Sequence, residues 1–315
     1  MKANGKARRV AVVDLGTNTT RLLVADVSNG SVAELDRRTT ITRLGEGVDA
    51  TGRLGEAAIE RVSGALAEYR AVIDELGATH ITAVATSAVR DASNGDDFRA
   101  HVKREFDIDA RTISGDEEAK LTFLGATGAR PAGSEPAMVL DIGGGSTEFV
   151  IGVAGSEPDF HVSTQAGAVR QTERHLADDP PTQEQISDMA LELQLMIEQA
   201  VPAELRERTG FGIAVAGTAT SMASIEQELD PYDSERVHGF RLELGACERI
   251  LAMLAGQTVE QRRDVTGLHP DRAPTIVAGA VILIEAMRAF SLEWMETSEA
   301  DILHGAALTA AASSP

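Results

Sequence analysis

A strand that ends on an acid, a tight turn of small residues and a returning strand occurs twice in this 315-residue chain. The first copy is DLGTNTTRL from Asp14, and the second is DIGGGSTEF from Asp141. Another pair of segments repeats at nearly the same separation, AVATSA from Ala83 and AVAGTA from Ala214. Two matched strand-turn units in the same order are the mark of a duplicated architecture. They constrain the chain to two domains of one topology that face each other, with both turns at the cleft.

The segments between these landmarks are α/β in pattern. RRVAVVD, RLLVADV and SVAELDRRTTITRL read as three strands within residues 8–44. Ile59, Val62, Leu66, Tyr69, Ile73 and Leu76 recur at helical spacing, and Gly77 is placed to end that helix. HITAVAT reads as the next strand. IDARTIS leads into a helix whose first turn carries Asp116, Glu117 and Glu118, where the helix dipole favours acids. Residues 182–204 are helical in pattern, and GLHPDRAPTIVAGAVILIEAMRAF is a turn leading into a buried helix. The domain boundary is expected in residues 125–136. This gives domains of 1–125 and 126–315, with the last helix free to pack back on the first.

The second turn carries the clearest chemistry. Glycines at 143, 144 and 145 let backbone N–H groups approach a ligand and form an anion-binding concavity. Ser146 and Thr147 add hydroxyl donors. Asp141 and Glu148 flank the turn and can hold a hard cation through oxygen, directly or through water. Phosphate with a divalent ion is the simplest ligand for that set. The plainer alternative is a glycine-rich hairpin with incidental acids.

Composition removes several function classes. A formal charge of −20 repels DNA, RNA and anionic membranes. No apolar run approaches the ~20 residues that span a bilayer. The basic start is followed by an apolar run that stops at Asp14, too short for a signal peptide, so a cytoplasmic protein is expected. Cys247 is the single cysteine, which excludes an internal disulfide and a cysteine-rich metal site. It is expected to be a small buried hydrophobe. A polyanionic substrate would require local basic groups, and nearly all the basic charge is arginine.

DLGTNTTRLLV, DIGGGSTEFVIG, ISGDEEAKLTFLGA, AVAGTATSMA and GLHPDRAPTIVAGA together resemble the exopolyphosphatase / guanosine pentaphosphate phosphatase family. The match covers nearly the whole chain, and ISGDEEA is its most specific part. The resemblance implies two ribonuclease-H-like domains of the actin-like ATPase superfold, with the active site in the cleft between them. It implies Mg²⁺-dependent removal of terminal phosphate from polyphosphate or from the 5′ end of pppGpp, and a homodimer. By position, Glu118 matches the family's catalytic carboxylate, which activates the attacking water. Asp141 and Glu148 match acids that hold the metal and orient water. Gly143, Gly144, Gly145 and Ser146 match the phosphate loop of the second domain. Asp14, Thr17, Asn18 and Thr19 match that of the first, with threonines where serine is common. Arg90 matches an arginine facing the phosphates, and Arg21 occupies a position where other members carry different side chains. His238 and His304 are read as structural.

The chemistry is consistent with that family. Phosphoanhydride hydrolysis needs an in-line water, charge neutralisation and little covalent work, and a glutamate can orient and deprotonate the water. From spacing alone, Glu118 reads first as a dipole-favoured acid at a helix start, and Arg90 equally as a surface ion-pair partner. Three classes stand: a phosphatase; a small-molecule kinase holding adenosine near Gly217 and Thr218, where AGTATSMAS lacks a basic residue; and a non-hydrolytic guanosine tetra- or pentaphosphate sensor, which would not need Glu118.

Overall fold

The computed structural model describes residues 7–133 and 135–312; the basic stretch 1–6 and Ser134 of the boundary segment lie outside the described residues. The chain forms two α/β units, one of Met1–Arg130 with Asp301–Pro315 and the other of Pro131–Ala300.

In the first unit the chain runs β1 (Arg8–Leu15), β2 (Thr19–Ser28), β3 (Ser31–Ile41), α1 (Val48–Thr51), α2 (Glu56–Leu76), β4 (His80–Ala85), α3 (Ser87–Asp91), α4 (Gly95–Phe106), β5 (Ala110–Thr112) and α5 (Gly115–Thr127). The second unit runs β6 (Ala137–Ile142), β7 (Thr147–Gly152), β8 (Phe160–Thr164), α6 (Ala168–His175), α7 (Gln183–Ala200), α8 (Ala203–Arg208), β9 (Phe211–Val215), α9 (Ala216–Glu226), α10 (Ser234–Val237), β10 (Arg241–Glu243), α11 (Leu244–Ala255), α12 (Val259–Arg262), α13 (Ile276–Ala289) and β11 (Trp294–Thr297). The chain then returns to the first unit as α14 (Ile302–Ala312).

The two sheets repeat one plan. The first is ordered β3-β2-β1-β4-β5 and the second β10-β11-β9-β6-β7-β8. β1 pairs antiparallel with β2 and parallel with β4, and β2 pairs antiparallel with β3. β6 does the same with β7 and β9, and β7 with β8. This is the ribonuclease-H-like strand order. The duplicated sequence segments are the central hairpin and the first parallel neighbour of each sheet.

β1 reads as a continuous apolar run because both its faces are covered. Ala11, Val13 and Leu15 point into a core with α2 and α4, while Val10 and Val12 point into another with α14 and Leu121 of α5. Successive side chains alternate between faces, so Asp14 lies on the α14 side. α2 buries Val62, Leu66, Tyr69 and Ile73 and ends at Gly77 in the left-handed conformation. No helix among the described residues is long and apolar enough to cross a membrane.

α5 and α14 meet backbone to backbone. An added Cβ at Gly305 would come within 1.8 Å of the Leu121 carbonyl oxygen, and one at Gly125 within 1.8 Å of that of Asp301. Gly305→Ala should therefore destabilise the protein by about 1–3 kcal/mol through overpacking, although Gly→Ala in an exposed helix interior stabilises by up to about 1 kcal/mol. The denaturant midpoint reads the sign directly. In the second unit Cys247 is buried on α11, and burial, aided by the charge of Glu226, pushes its thiol up to about 12. A thiol reagent at pH 8 should label it only after unfolding, so labelling of the native protein at the rate of a free thiol would contradict that burial.

Candidate functional site

In the first unit the candidate residues gather at the carboxyl ends of the parallel strands. The turn after β1 is tied to its neighbours through the backbone: the Asn18 carbonyl accepts from the N–H groups of Thr42 and Arg43 at 3.0 and 2.9 Å, and the Thr17 carbonyl from that of Gly45 at 2.8 Å. The Gly16 N–H closes the turn on the Thr19 carbonyl at 3.0 Å. Thr17 Oγ1 is 2.8 Å from the hydroxyl of Ser87, which opens α3 after β4. Arg90 ends that helix turn. Its guanidinium donates to the Ile113 carbonyl at 3.1 Å and to Glu118 Oε2 at 3.3 Å.

Ser114 caps α5, its hydroxyl accepting from the N–H of Glu117. The three acids of this turn then separate by environment. Asp116 is exposed, Glu117 pairs with Arg111 at the surface, and Glu118 is 8% exposed against Arg90. Helix geometry turns adjacent residues by about 100°, so only one acid of the run can face inward. Arg90 thus pairs with a buried carboxylate, unlike an exposed surface pair, which contributes little.

Asp14 is 3% exposed at the end of β1 and stands directly opposite Arg21 on β2. Arg21 donates through Nε and Nη2 to Asp14 Oδ2 at 2.9 and 2.6 Å, and through Nη1 to Asp301 Oδ2. The other Asp14 oxygen, Oδ1, is buried and has no hydrogen-bond partner. Burial holds the Asp14 carboxyl above the ordinary range despite Arg21, with the charge of Asp301 adding to the effect. Burial acts the same way on Asp301, but Arg21, Arg37 and His304 outweigh it and keep that carboxyl low.

In the second unit Asp141 and Glu148 are direct cross-strand partners on β6 and β7, 8% and 1% exposed. They lie on the sheet face opposite Met138, Leu140, Phe149 and Ile151, which enter the main core. Like charges directly opposite each other destabilise a strand pair, and a cation between them relieves it. Glu148 Oε1 accepts from the hydroxyl of Ser163, its register partner on β8, at 2.7 Å. Hard oxygen donors from one or two carboxylates, completed by phosphate and water, suit Mg²⁺. Among the described residues no group of three or more His, Cys, Asp or Glu side chains converges into a closed metal cage.

The turn between these acids is held from behind. The Gly143 carbonyl accepts from the Ala168 N–H, and that of Gly144 from Val169 and Arg170, all at the start of α6. Arg170 Nε donates to the Gly145 carbonyl at 2.9 Å. Gly167 makes this approach possible, since a Cβ there would lie 2.2 Å from the Gly144 oxygen. With the carbonyls of Gly143, Gly144 and Gly145 engaged by α6, and the Gly143 N–H closing the turn on the Ser146 carbonyl at 3.0 Å, the groups of the turn suited to an anion are its remaining N–H edges and the Ser146 hydroxyl.

Sequence reasoning missed several neighbours. Asp301 and Ser163 had no motif to mark them. Arg272 has its guanidinium against Gly217, where a Cβ would meet it at 1.8 Å, so the turn after β9 gains a basic group its own segment lacks. Ala216 in that turn has φ +62°, a conformation that costs a non-glycine residue about 1 kcal/mol or more. His238 Nδ1 accepts from the Glu299 N–H at 3.2 Å, and His304 Nε2 lies 3.0 Å from Glu34 Oε1. Both histidines are engaged in local structure.

Comparison with known proteins places this geometry. The model of the Ppx/GppA phosphatase family matches residues 23–313. Exopolyphosphatase 2 of Mycobacterium tuberculosis is 38% identical, over 96% of this chain and 98% of its own. A crystal structure of an exopolyphosphatase-like protein superposes with TM-score 0.89 at 34% identity, covering 96% of this chain and 97% of that one. An exopolyphosphatase from Cytophaga hutchinsonii does so with TM-score 0.88 at 28% identity, covering 96% and 97%. The chain belongs to the Ppx/GppA phosphatase family and is a phosphatase.

Proposed function

We propose that the protein is an exopolyphosphatase that hydrolyses the terminal phosphoanhydride of inorganic polyphosphate with Mg²⁺. The observation that carries this reading is the buried Glu118 at the start of α5, held by Arg90. A buried carboxylate beside an arginine is suited to take a proton from water next to an anionic phosphoryl group. Its relative named Exopolyphosphatase 2 supports polyphosphate as the substrate class. Guanosine pentaphosphate presents the same terminal anhydride and is the second reading, supported by the family's own description.

In this reading Glu118 accepts a proton from the attacking water. The water oxygen bonds to the terminal phosphorus, and the bond to the bridging oxygen breaks. The products are inorganic phosphate and a chain shorter by one unit. Arg90 fixes the Glu118 carboxylate and adds positive charge near the phosphoryl oxygens. The turns around Thr17–Thr19 and Gly143–Ser146 supply N–H and hydroxyl donors to phosphate. Asp141 and Glu148 would hold the divalent ion, which neutralises charge on the transferred group.

Phosphate release from long-chain polyphosphate, triphosphate, pppGpp and ATP tests the substrate. Fastest release from pppGpp would replace the first reading with the second, and ADP formation with a phosphorylated acceptor would favour a kinase. Excess chelator should abolish turnover, and Asp141→Asn should raise the Mg²⁺ concentration needed for half-maximal rate. Full activity in chelator would remove the cation from the scheme. Glu118→Gln should lower kcat by 10²–10⁴-fold, about 3–5 kcal/mol, while polyphosphate affinity is kept or improved because one negative charge is gone. Glu117→Gln breaks only an exposed pair and should remain active. Near-normal turnover in Glu118→Gln would promote the sensor or kinase reading.

A further inference from the structure

A trans peptide sets its carbonyl and the next residue's N–H on opposite sides, so whatever holds the carbonyl also aims the N–H. In the glycine turn of the second unit, three successive carbonyls are held on the α6 side. That of Gly143 accepts from the Ala168 N–H at 2.9 Å, which turns the Gly144 N–H away from α6. That of Gly144 accepts from the N–H groups of Val169 and Arg170 at 2.9 and 3.2 Å, which turns the Gly145 N–H away as well. The third, on Gly145, is held by a side chain: Arg170 Nε donates to it at 2.9 Å. We propose that Arg170 is a positioning residue of the phosphate turn, which through Nε fixes the Gly145–Ser146 peptide and aims the Ser146 N–H at the substrate's phosphate oxygens.

The rest of the turn is fixed by other means. Its mouth is closed by the Gly143 N–H on the Ser146 carbonyl at 3.0 Å. On the far side, Thr147 begins β7 opposite Ile142, and its hydroxyl donates to the Ala166 carbonyl at 2.6 Å. Between these fixed points the glycines have wide backbone freedom, so a peptide plane with no anchor can rotate. Two of the three planes are anchored by main-chain donors of α6, which any side chain there would supply. The third depends on the residue at 170, and so on a choice of sequence. Three N–H groups aimed one way form an anion-binding concavity, and Ser146 is 3% exposed, where an oriented donor counts for more than it does in water. This role belongs to Nε; it does not call on the terminal nitrogens of the guanidinium.

The inference rests on the phosphate-binding role proposed for Gly143–Ser146, and its test separates the two. Glutamine carries an N–H donor as many bonds from Cα as arginine Nε, without the charge; lysine keeps the charge but has a methylene there, and methionine has a methyl group and no charge. The first measurement needs no turnover: inorganic phosphate is titrated into the ligand-free protein, and the amide ¹H–¹⁵N signals of Gly144, Gly145 and Ser146 are followed. In the parent all three should shift. In Arg170→Met the Ser146 shift should be lost while that of Gly144, set by the bond from Ala168, remains. Arg170→Gln should restore the Ser146 shift, and Arg170→Lys should not. The second measurement is phosphate release from polyphosphate. Here kcat/KM should fall about 10²-fold in Arg170→Met, the scale of one lost oriented donor. It should fall nearly as far in Arg170→Lys and recover most of the loss in Arg170→Gln. The opposite order, with Arg170→Lys active and Arg170→Gln not, would make the charge the working feature and overturn the proposal. So would an unchanged Ser146 shift in Arg170→Met, or the loss of all three shifts together, which would mean that the whole turn had moved. If Arg170→Met fails to fold, Arg170→Gln against Arg170→Lys carries the same comparison. A parent protein whose turn amides ignore phosphate would remove the phosphate-binding role and this inference with it. A parent whose amides respond but which hydrolyses neither polyphosphate nor pppGpp would defeat the functional reading and leave the Ser146 comparison standing.

Discussion

A carboxylate buried at the end of a central strand must meet opposite charge, because an isolated buried ion costs several kcal/mol. Both sheets carry such a carboxylate at the same place, with a different residue across the strand pair. Asp14 is met from within by Arg21, which is itself shared with Asp301. Asp141 stands directly opposite a second acid, Glu148, whose Oε1 accepts from the Ser163 hydroxyl. The duplicated hairpins thus diverge at this cross-strand pair: one half places an arginine opposite the acid, and the other a second acid.

The charge of −20 sets the second constraint. A polyanionic substrate approaches such a surface against its mean field, so attraction has to come from short-range donors. Main-chain N–H groups suit that task, because they add partial positive charge without adding a lysine to the surface. In the second unit the start of α6 takes the carbonyls of the glycine turn, which orders the turn's other edge. In the first unit, backbone bonds from residues 42–45 do the same for the turn after β1. Rigid donors cost no reorganisation when charge develops, which is the basis of electrostatic catalysis.

Much of this was legible in the sequence because it is local or repeated. The matched turns announced two sheets of one order, and the periodicity of Val62, Leu66, Tyr69 and Ile73 announced α2 with its Gly77 end. The acids 141 and 148 were readable as a pair because a hairpin brings them opposite each other. The burial of Glu118 was not readable, since Asp116 and Glu117 beside it look the same in one dimension. Ser163 meets Glu148 only through the register of β8, and Arg272 reaches Gly217 from a distant segment. Asp301 sits in no motif, and its role exists only because α14 returns to the first sheet. Contacts made by long chain excursions leave no local pattern to read.

That return has a consequence for biogenesis. The face of the first sheet lined by Val10, Val12, Leu23 and Ala25 is covered by α14, whose Ile302, Leu303, Ala306 and Ala307 fill the same core. The ribosome delivers residues 7–130 long before residues 302–312, with the whole second unit made in between. The unit that begins first in the chain is therefore the last to be completed. Until α14 arrives, a nascent sheet waits with an apolar face uncovered and Arg21 lacking one of its two carboxylates. Exposed sheet surface of that kind is what chaperones bind and what aggregates in their absence. Interrupted synthesis or proteolytic loss of α14 would leave the polypeptide in that state.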